Sequence, residues 1–427
     1  MSDFSLASDD ERPDAVAASS VLDRLARRLA FAIGRRLREG ELRVVEPGGT
    51  YVFGRKTERL PRTITLRVHD RRLYRQAVLG GTLGFGEAYV DGYWSCDDPT
   101  ALVQMFLVNR EALDRLESGW ARLSAPLSKL YHRRRRNSTR GSRRNIEAHY
   151  DLGNDFFASF LDPTMAYSCA IFEREDQTLE EASTAKNERI CRKLALSPQD
   201  RLLEIGTGWG GFALHAASRY GCHVTTTTIS REQCAFARRR VEDAGLTSRV
   251  RVLHQDYREL TGTYDKVASI EMIEAVGADF LDTYFRKCSD LLAPDGMMLL
   301  QAITIAEQLY EQARRSVDFV KRHIFPGSCL VSMASMCAAI ARSTDLRPVH
   351  LEDITPHYVT TLQRWRAQLA ANRDHVRALG YTERLLRAWE YYFSYCEGGF
   401  KERYIGDVQL LLTKPLCRRD SIVPQLA

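Results

Sequence analysis

The sequence predicts an α/β protein, with a parallel sheet covered by helices in its longer C-terminal part and a smaller mixed α+β domain ahead of it. Three observations predict it. Five short apolar runs, Arg201–Ile205, His223–Ile229, Arg249–Gln255, Tyr264–Met272 and Gly296–Ile305, are separated by helical stretches, and that alternation gives a parallel sheet. The first run leads straight into Gly206-Thr207-Gly208-Trp209-Gly210-Gly211, a strand, glycine turn and helix start of the kind that places a ligand at the strand's end. Upstream, residues 42–92 break into short apolar runs with Gly48, Gly49, Gly54, Gly80, Gly81, Gly84, Gly86 and Gly92 between them, which reads as strands joined by turns. A length of 427 residues exceeds one comfortable core, so two domains are expected.

Taken in order, residues 1–20 carry Asp3, Asp9, Asp10, Glu11 and Asp14 and lack the basic and apolar regions of a secretory signal, so they read as a disordered acidic tail. From Val21 to Leu37, Leu22, Leu25, Leu29, Ile33 and Leu37 recur at helical spacing with Arg24, Arg27, Arg28, Arg35 and Arg36 between them. This is a basic amphipathic helix, and two readings stand: a core-packed helix with a solvated arginine face, or contact with anionic lipid headgroups. It opens a first domain over 21–130. A basic linker over 131–145 follows, with Arg133 to Arg136, Arg140, Arg143 and Arg144 set among polar residues. Such a run suits a solvated linker, an anionic lipid surface or RNA phosphates. No RNA-binding module accompanies it, so no nucleic acid partner is expected. The catalytic domain then spans 146–427. Ten cysteines without a CxxC pair argue against zinc and disulfides and fit a reducing cytoplasm. No run is long and apolar enough to span a bilayer.

The glycine turn alone does not choose a ligand, because nicotinamide and flavin enzymes also place glycines after their first strand. Its spacing is GxGxG, and the second strand ends in Thr226-Thr227-Thr228-Ile229-Ser230 where a dinucleotide site would carry a ribose-binding acid. A dehydrogenase is disfavoured. Asp256 and Tyr257 after the third strand supply polar and aromatic groups for an adenine ring, although simple packing also accounts for Tyr257.

Several motifs then point one way. EIGTGWGG (Glu204 to Gly211), TISREQ (Thr228 to Gln233), QDYREL (Gln255 to Leu260), HYDLGNDFF (His149 to Phe157), MAYSCA (Met165 to Ala170) and LGFGEAYVDGYW (Leu83 to Trp94) resemble, in order, those of the cyclopropane fatty-acyl-phospholipid synthase family. The resemblance implies a Rossmann-like class I methyltransferase domain behind a smaller lipid-docking domain, with S-adenosylmethionine as cofactor. It implies that Tyr167 and Ser168 contact the methionine part of the cofactor and that Gly206, Thr207, Gly208, Trp209 and Gly210 pass along it. Thr228 and Gln233 would lie near the adenosine, and Tyr257 and Arg258 would flank the adenine. The substrate would be the double bond of an unsaturated acyl chain in a membrane phospholipid, met by a peripheral enzyme at the inner face of the cell membrane, and family analogy suggests a homodimer. Another lipid-like acceptor, or a lipid-binding paralogue without catalysis, stays open.

An alkene is a poor nucleophile, so its methylation needs the sulfonium methyl and leaves a carbocation that survives only where water is excluded. The resemblance implies bound bicarbonate as the base, held by Cys169, Glu274, Ile303 and Tyr358, with Cys169 and Ile303 acting through backbone groups. One residue departs from the family pattern. Gln301 stands in Leu299-Leu300-Gln301-Ala302-Ile303 where the family commonly has histidine, and glutamine cannot shuttle a proton near neutral pH. With EMIEAVG (Glu271 to Gly277) it resembles a branch making methyl- or methylene-branched acids. His323 stands where relatives often have tyrosine and could compensate. Cys396 aligns with a cysteine named as active-site in the family, while a helical cysteine among aromatics is ordinarily a small buried hydrophobe.

Overall fold

The computed structural model describes residues 20–110 and 152–420. The tail up to residue 19, the basic linker 131–145 and His149, Tyr150 and Asp151 of the HYD motif lie outside them. The chain divides into two units. One joins Met1–Arg134 to Arg315–Ile324 and Trp365–Tyr404, and the other comprises Arg135–Arg314, Phe325–Arg364 and Ile405–Ala427. The expected single boundary near residue 146 is therefore incomplete, because two later segments return to the first unit.

In the first unit, helix α1 (Val21–Gly34) begins at a capping box between Ser20 and Asp23, which satisfies backbone N–H groups that a helix start leaves unpaired. Strands β1 (Gly40–Glu46), β2 (Gly49–Arg55), β3 (Thr63–Val68) and β4 (Trp94–Cys96) form a sheet in the order β2-β1-β3-β4. Helix α2 (Arg72–Val90) occupies the stretch whose glycines read as turns, and only Gly81 leaves helical geometry. Gly84 and Gly86 are close-approach positions, while a Cβ at Gly80 would meet nothing within 4 Å. A Cβ at Gly84 would lie 2.1 Å from the Gln76 carbonyl oxygen, and one at Gly86 would lie 2.6 Å from the Tyr391 ring. Helix α3 (Pro99–Val108) packs on the late helix Glu383–Lys401, where Thr100 Oγ1 donates to buried Glu397 at 2.8 Å. Val21, Leu22 and Leu25 of α1 are 71%, 62% and 62% exposed, so the core-packed reading fails for this part of the helix.

The second unit is built on β5 (Arg201–Ile205), β6 (His223–Thr228), β7 (Val250–His254), β8 (Tyr264–Ile270), β9 (Leu292–Ile305), β10 (Arg347–Asp353) and β11 (Ile405–Thr413). Their order is β10-β11-β9-β8-β5-β6-β7. The five strands read from sequence are mutually parallel, whereas β11 runs antiparallel to β9 and to β10. Side chains alternate across the sheet: Leu203, Val267 and Leu300 enter one core, and Leu202, Ala268 and Leu299 enter the other. Burial on both faces explains why these strands read as continuous apolar runs. The carboxyl ends of β5, β6, β7 and β8 carry the motif residues, as ligand-binding α/β sheets do.

Candidate active site

The glycine turn after β5 is held by backbone. Gly206 and Thr207 both donate N–H to the Thr227 carbonyl at 3.0 Å, and Gly206, Gly208 and Gly210 have φ of 105°, 51° and 87°, a region that side chains disfavour. Space also counts. A Cβ at Gly206 would meet the Met272 side chain at 3.3 Å and one at Gly210 would meet Ala237 at 3.2 Å, while one at Gly208 meets nothing within 4 Å. Gly208 thus faces open space.

Under the turn, Thr207 Oγ1 lies 2.7 Å from Thr226 Oγ1, which donates to Glu204 Oε2 at 2.5 Å. Burial pushes the Glu204 carboxyl up to about 8. Trp209 is buried, with Nε1 donating to Asn154 Oδ1 at 2.7 Å and its ring 5.0 Å from Phe157. Thr228 Oγ1 donates to Gln233 Oε1 at 3.0 Å. Arg258 forms a two-point pair with Asp256 at 2.8 and 2.7 Å, and Tyr257 meets Tyr284 edge-on at 5.5 Å. Tyr167 stands among Phe157, Phe160 and Phe325. Ser168 Oγ accepts from Lys186 Nζ at 3.2 Å, and burial lowers the pKa of that lysine.

At the end of β8 the structure brings together Cys169, Gln301, Tyr358 and a glutamate that the sequence reading did not single out. Glu271 Oε1 accepts from the Cys169 backbone N–H at 2.8 Å and from Gln301 Nε2 at 2.7 Å. Its Oε2 accepts from the Tyr358 hydroxyl at 2.7 Å. Glu271 has a φ of 48°, a conformation that costs a non-glycine residue about 1–3 kcal/mol. Beside it, Asp407 of β11 is wholly buried, and its Oδ2 lies 3.3 Å from the same Gln301 nitrogen. Desolvation and the Glu271 charge raise Asp407 far above the carboxylate range, while desolvation raises Glu271 against four hydrogen bonds that favour its charge, from Cys169, Tyr358, Gln301 and Asp407. Asp407 therefore keeps the proton of the pair and Glu271 the charge. Gln301 is locked from behind, since its Oε1 accepts from Gln409 Nε2 at 3.0 Å.

Glu274 and Ile303 do meet, with Ile303 N–H donating to Glu274 Oε1 at 2.5 Å. Glu274 Oε2 is buried and makes no hydrogen bond within the described residues, and burial with the nearby Glu271 charge pushes this carboxyl up to about 8. The Cys169 N–H and the Tyr358 hydroxyl, two of the four expected holders of bicarbonate, both end on Glu271, so the residues present do not fit that ion as the sequence arranged it. The Cys169 thiol, fully buried and raised by desolvation, stays neutral, which leaves its backbone as the working group.

Cys396 and His323 take no part in these contacts. Cys396 belongs to the first unit, its thiol raised by burial. His323, in the same unit, has Nε2 2.9 Å from Glu87 Oε1 and its ring centroid 5.0 Å from that of Phe319.

Glu271, Asp407 and Lys186 are the residues that sequence reasoning missed. For Glu271 a signal existed: two glutamates three residues apart at the end of an apolar strand. Asp407 had none, because it lies on a strand that was not anticipated.

A family model described as mycolic acid cyclopropane synthetase matches residues 137–410. The chain is similar to the tuberculostearic acid methyltransferase UfaA1 of Mycobacterium tuberculosis, 35% identical over 411 residues that cover 94% of this chain and 93% of that protein. It is 37% identical over 360 residues to the cyclopropane-fatty-acyl-phospholipid synthase of Escherichia coli, covering 81% and 86% of the two chains. Of solved structures, the cyclopropane synthase MmaA2 from Mycobacterium tuberculosis superposes with a TM-score of 0.60 at 32% identity, covering 64% of this chain and 98% of that one. The mycolic acid cyclopropane synthase CmaA1 complexed with SAH and CTAB gives 0.60 at 33% identity, with the same coverage of 64% and 98%.

Proposed function

We propose, from the premise that this chain belongs to the mycolic acid cyclopropane synthetase family, that it adds a one-carbon unit to the double bond of an unsaturated acyl chain carried by a membrane phospholipid. The membership itself makes the protein an S-adenosylmethionine-dependent methyltransferase that acts on fatty acyl chains. The observation that carries the finer reading is a junction. Met272, which a Cβ at Gly206 would touch, immediately follows Glu271, an adjacency of the glycine turn and the buried carboxylates that supports reading them as one site.

S-adenosylmethionine supplies an electrophilic methyl when bound. Gly206, Thr207, Gly208, Trp209 and Gly210 line its path in this reading, Tyr167 and Ser168 sit at its methionine end, and Thr228, Gln233, Tyr257 and Arg258 sit at its adenosine end. Tyr167, with Phe157, Phe160 and Phe325 around it, excludes water and presents aromatic faces that tolerate a carbocation without trapping it. A proton then leaves for a buried carboxylate. Whether the product is a cyclopropane or a methylene branch depends on where that base stands.

Support for a phospholipid acceptor comes from the first unit and from a relative named for that substrate. Exposed Val21, Leu22 and Leu25 share α1 with exposed Arg24 and Arg28, a combination that buries apolar side chains at a headgroup boundary while arginines meet anionic lipid. Among the described residues no helix is long and apolar enough to cross a membrane. The test is incubation with unsaturated phosphatidylglycerol vesicles and S-adenosylmethionine bearing a deuterated methyl, followed by gas chromatography and mass spectrometry of the acyl chains. Chains enlarged by one labelled carbon are expected. Cofactor binding with unaltered acyl chains would move the reading to a different acceptor.

A further inference from the structure

We propose that the Glu271 carboxylate is the base that takes the proton, a built-in side chain occupying the seat that Cys169, Gln301 and Tyr358 form for an anion. The inference deepens the methyl-transfer reading and rests on it. Three donors on separate elements converge on this one carboxylate, at 2.8, 2.7 and 2.7 Å. That satisfies a negative charge in a water-poor site and fixes its position. The backbone at Glu271 is held in the left-handed region, which surrounding structure sustains mainly at functional sites. As a residue Glu271 is half-buried, whereas Asp407 is wholly buried.

Asp407 behind it is the neutral partner. Its retained proton lets Glu271 stay ionised beside a second carboxyl, the division expected when two acids share one enclosed space. Glu274 is the weaker candidate for base. Its carboxyl has been pushed up to about 8 and is largely protonated at neutral pH, and a single backbone N–H holds it.

The step balances. The alkene π pair forms the new C–C bond to the methyl carbon as the C–S bond breaks, and the neighbouring acyl carbon is left positive. A C–H bond of the added carbon then breaks and its proton passes to a Glu271 oxygen. The electron pair closes a ring, or forms an exocyclic double bond if hydride has first moved between the two acyl carbons. Glu271 releases the proton to solvent before the next turnover. No oxidant or reductant is needed.

The experiment compares wild type, Glu271→Gln and Glu271→Ala on unsaturated phosphatidylglycerol vesicles in buffer stripped of carbon dioxide, with and without added bicarbonate or formate. Wild-type turnover should be indifferent to either anion. Both variants should lose about a hundredfold or more, the usual contribution of a positioned base. Glu271→Ala should recover with bicarbonate or formate, which can enter the emptied seat, and Glu271→Gln should not, because its amide still fills it. A merely structural glutamate would not produce that split. Carbon-13 bicarbonate titration followed by NMR reads the seat without turnover, with binding expected for Glu271→Ala and none for wild type. Wild-type dependence on bicarbonate, or a Glu271→Gln protein with wild-type turnover, overturns the proposal and leaves the phospholipid reading standing. Absence of wild-type turnover on vesicles sinks the phospholipid reading, and the titration then decides the seat by itself: bicarbonate binding to wild type, or none to Glu271→Ala, overturns it.

Discussion

Two neighbouring stretches of one sheet edge solve different problems with different materials. At the ends of β5 and β6 the work is done by backbone: three glycines at positive φ, two N–H groups on the Thr227 carbonyl, and a position at Gly208 that opens onto free space. At the ends of β8, β9 and β11 it is done by side chains, with Glu271, Gln301 and Asp407 bound to one another and to Tyr358. A ligand with a long neutral and cationic body needs room and close approach, which glycine supplies. A proton acceptor needs a charge held at one point against desolvation, which only convergent donors supply. On the proposed reading the division makes binding and deprotonation separable, so a substitution on one side should leave the other measurable.

The largest separable effect is expected at Gly206. Valine there must adopt a φ of 105° and place its Cβ 3.3 Å from Met272, and a strained position of this type costs about 1–3 kcal/mol. Gly206→Val should weaken S-adenosylmethionine binding by about a hundredfold, or about 2.7 kcal/mol, as isothermal titration would read. If affinity falls less than threefold, the turn is not where the cofactor is held and the comparison fails on its first side.

The same contrast explains what could be read from the sequence. Glycines that must take positive φ announce themselves by residue type, and five parallel strands announce themselves because burial on both faces leaves apolar runs. The Glu271 site is assembled from partners 102, 30 and 87 residues away, and no local pattern encodes such convergence. Glu274 was legible and Glu271 was not, although the two glutamates lie three positions apart, because the resemblance supplied a role for one and none for the other. β11 escaped notice for a related reason: it joins antiparallel, after the helical segment that completes the first unit, so the strand and helix alternation that revealed β5 to β9 had already ended. The glycines of α2 misled because a glycine that admits a neighbouring ring looks, in sequence, like one that makes a turn.

An intermediate effect is expected at Lys186, which stands between the two regions. Its ammonium donates to Ser168 and favours the charged forms of both Glu271 and Glu204. Lys186→Met removes a buried positive charge, so Glu271 ionises less readily and the base is spent as a neutral acid at higher pH. The acidic limb of the kcat/KM profile should move upward by about one pH unit, a tenfold loss on that limb. A limb that stays in place would show that Glu271 is not the group titrating there, whatever happens to the absolute rate.

The last effect concerns stability and isolates the β5 side. Glu204 sits under the glycine turn with its carboxyl pushed up to about 8 by burial, whereas the unfolded chain ionises it near the ordinary glutamate value of about 4.3. Between those two values the folded state binds the proton and the unfolded state does not, so this group's contribution is fully present below the lower value. It declines as pH rises and is exhausted above about 8. One such group gives a slope of at most about 1.4 kcal/mol per pH unit. Glu204→Gln cannot titrate, and its chemical denaturation midpoints between pH 5 and 8 should fall less steeply than those of wild type by up to that amount. The quantity compared is the slope, because the amide also changes the hydrogen bond from Thr226 and with it the absolute stability. Glu274, pushed up to about the same value at the other region, is untouched by this substitution and should leave a residual slope of the same sign. Parallel slopes in the two proteins would mean that Glu204 is already ionised beneath the turn, and the glycine region would then owe its shape to a buried charge as well as to backbone.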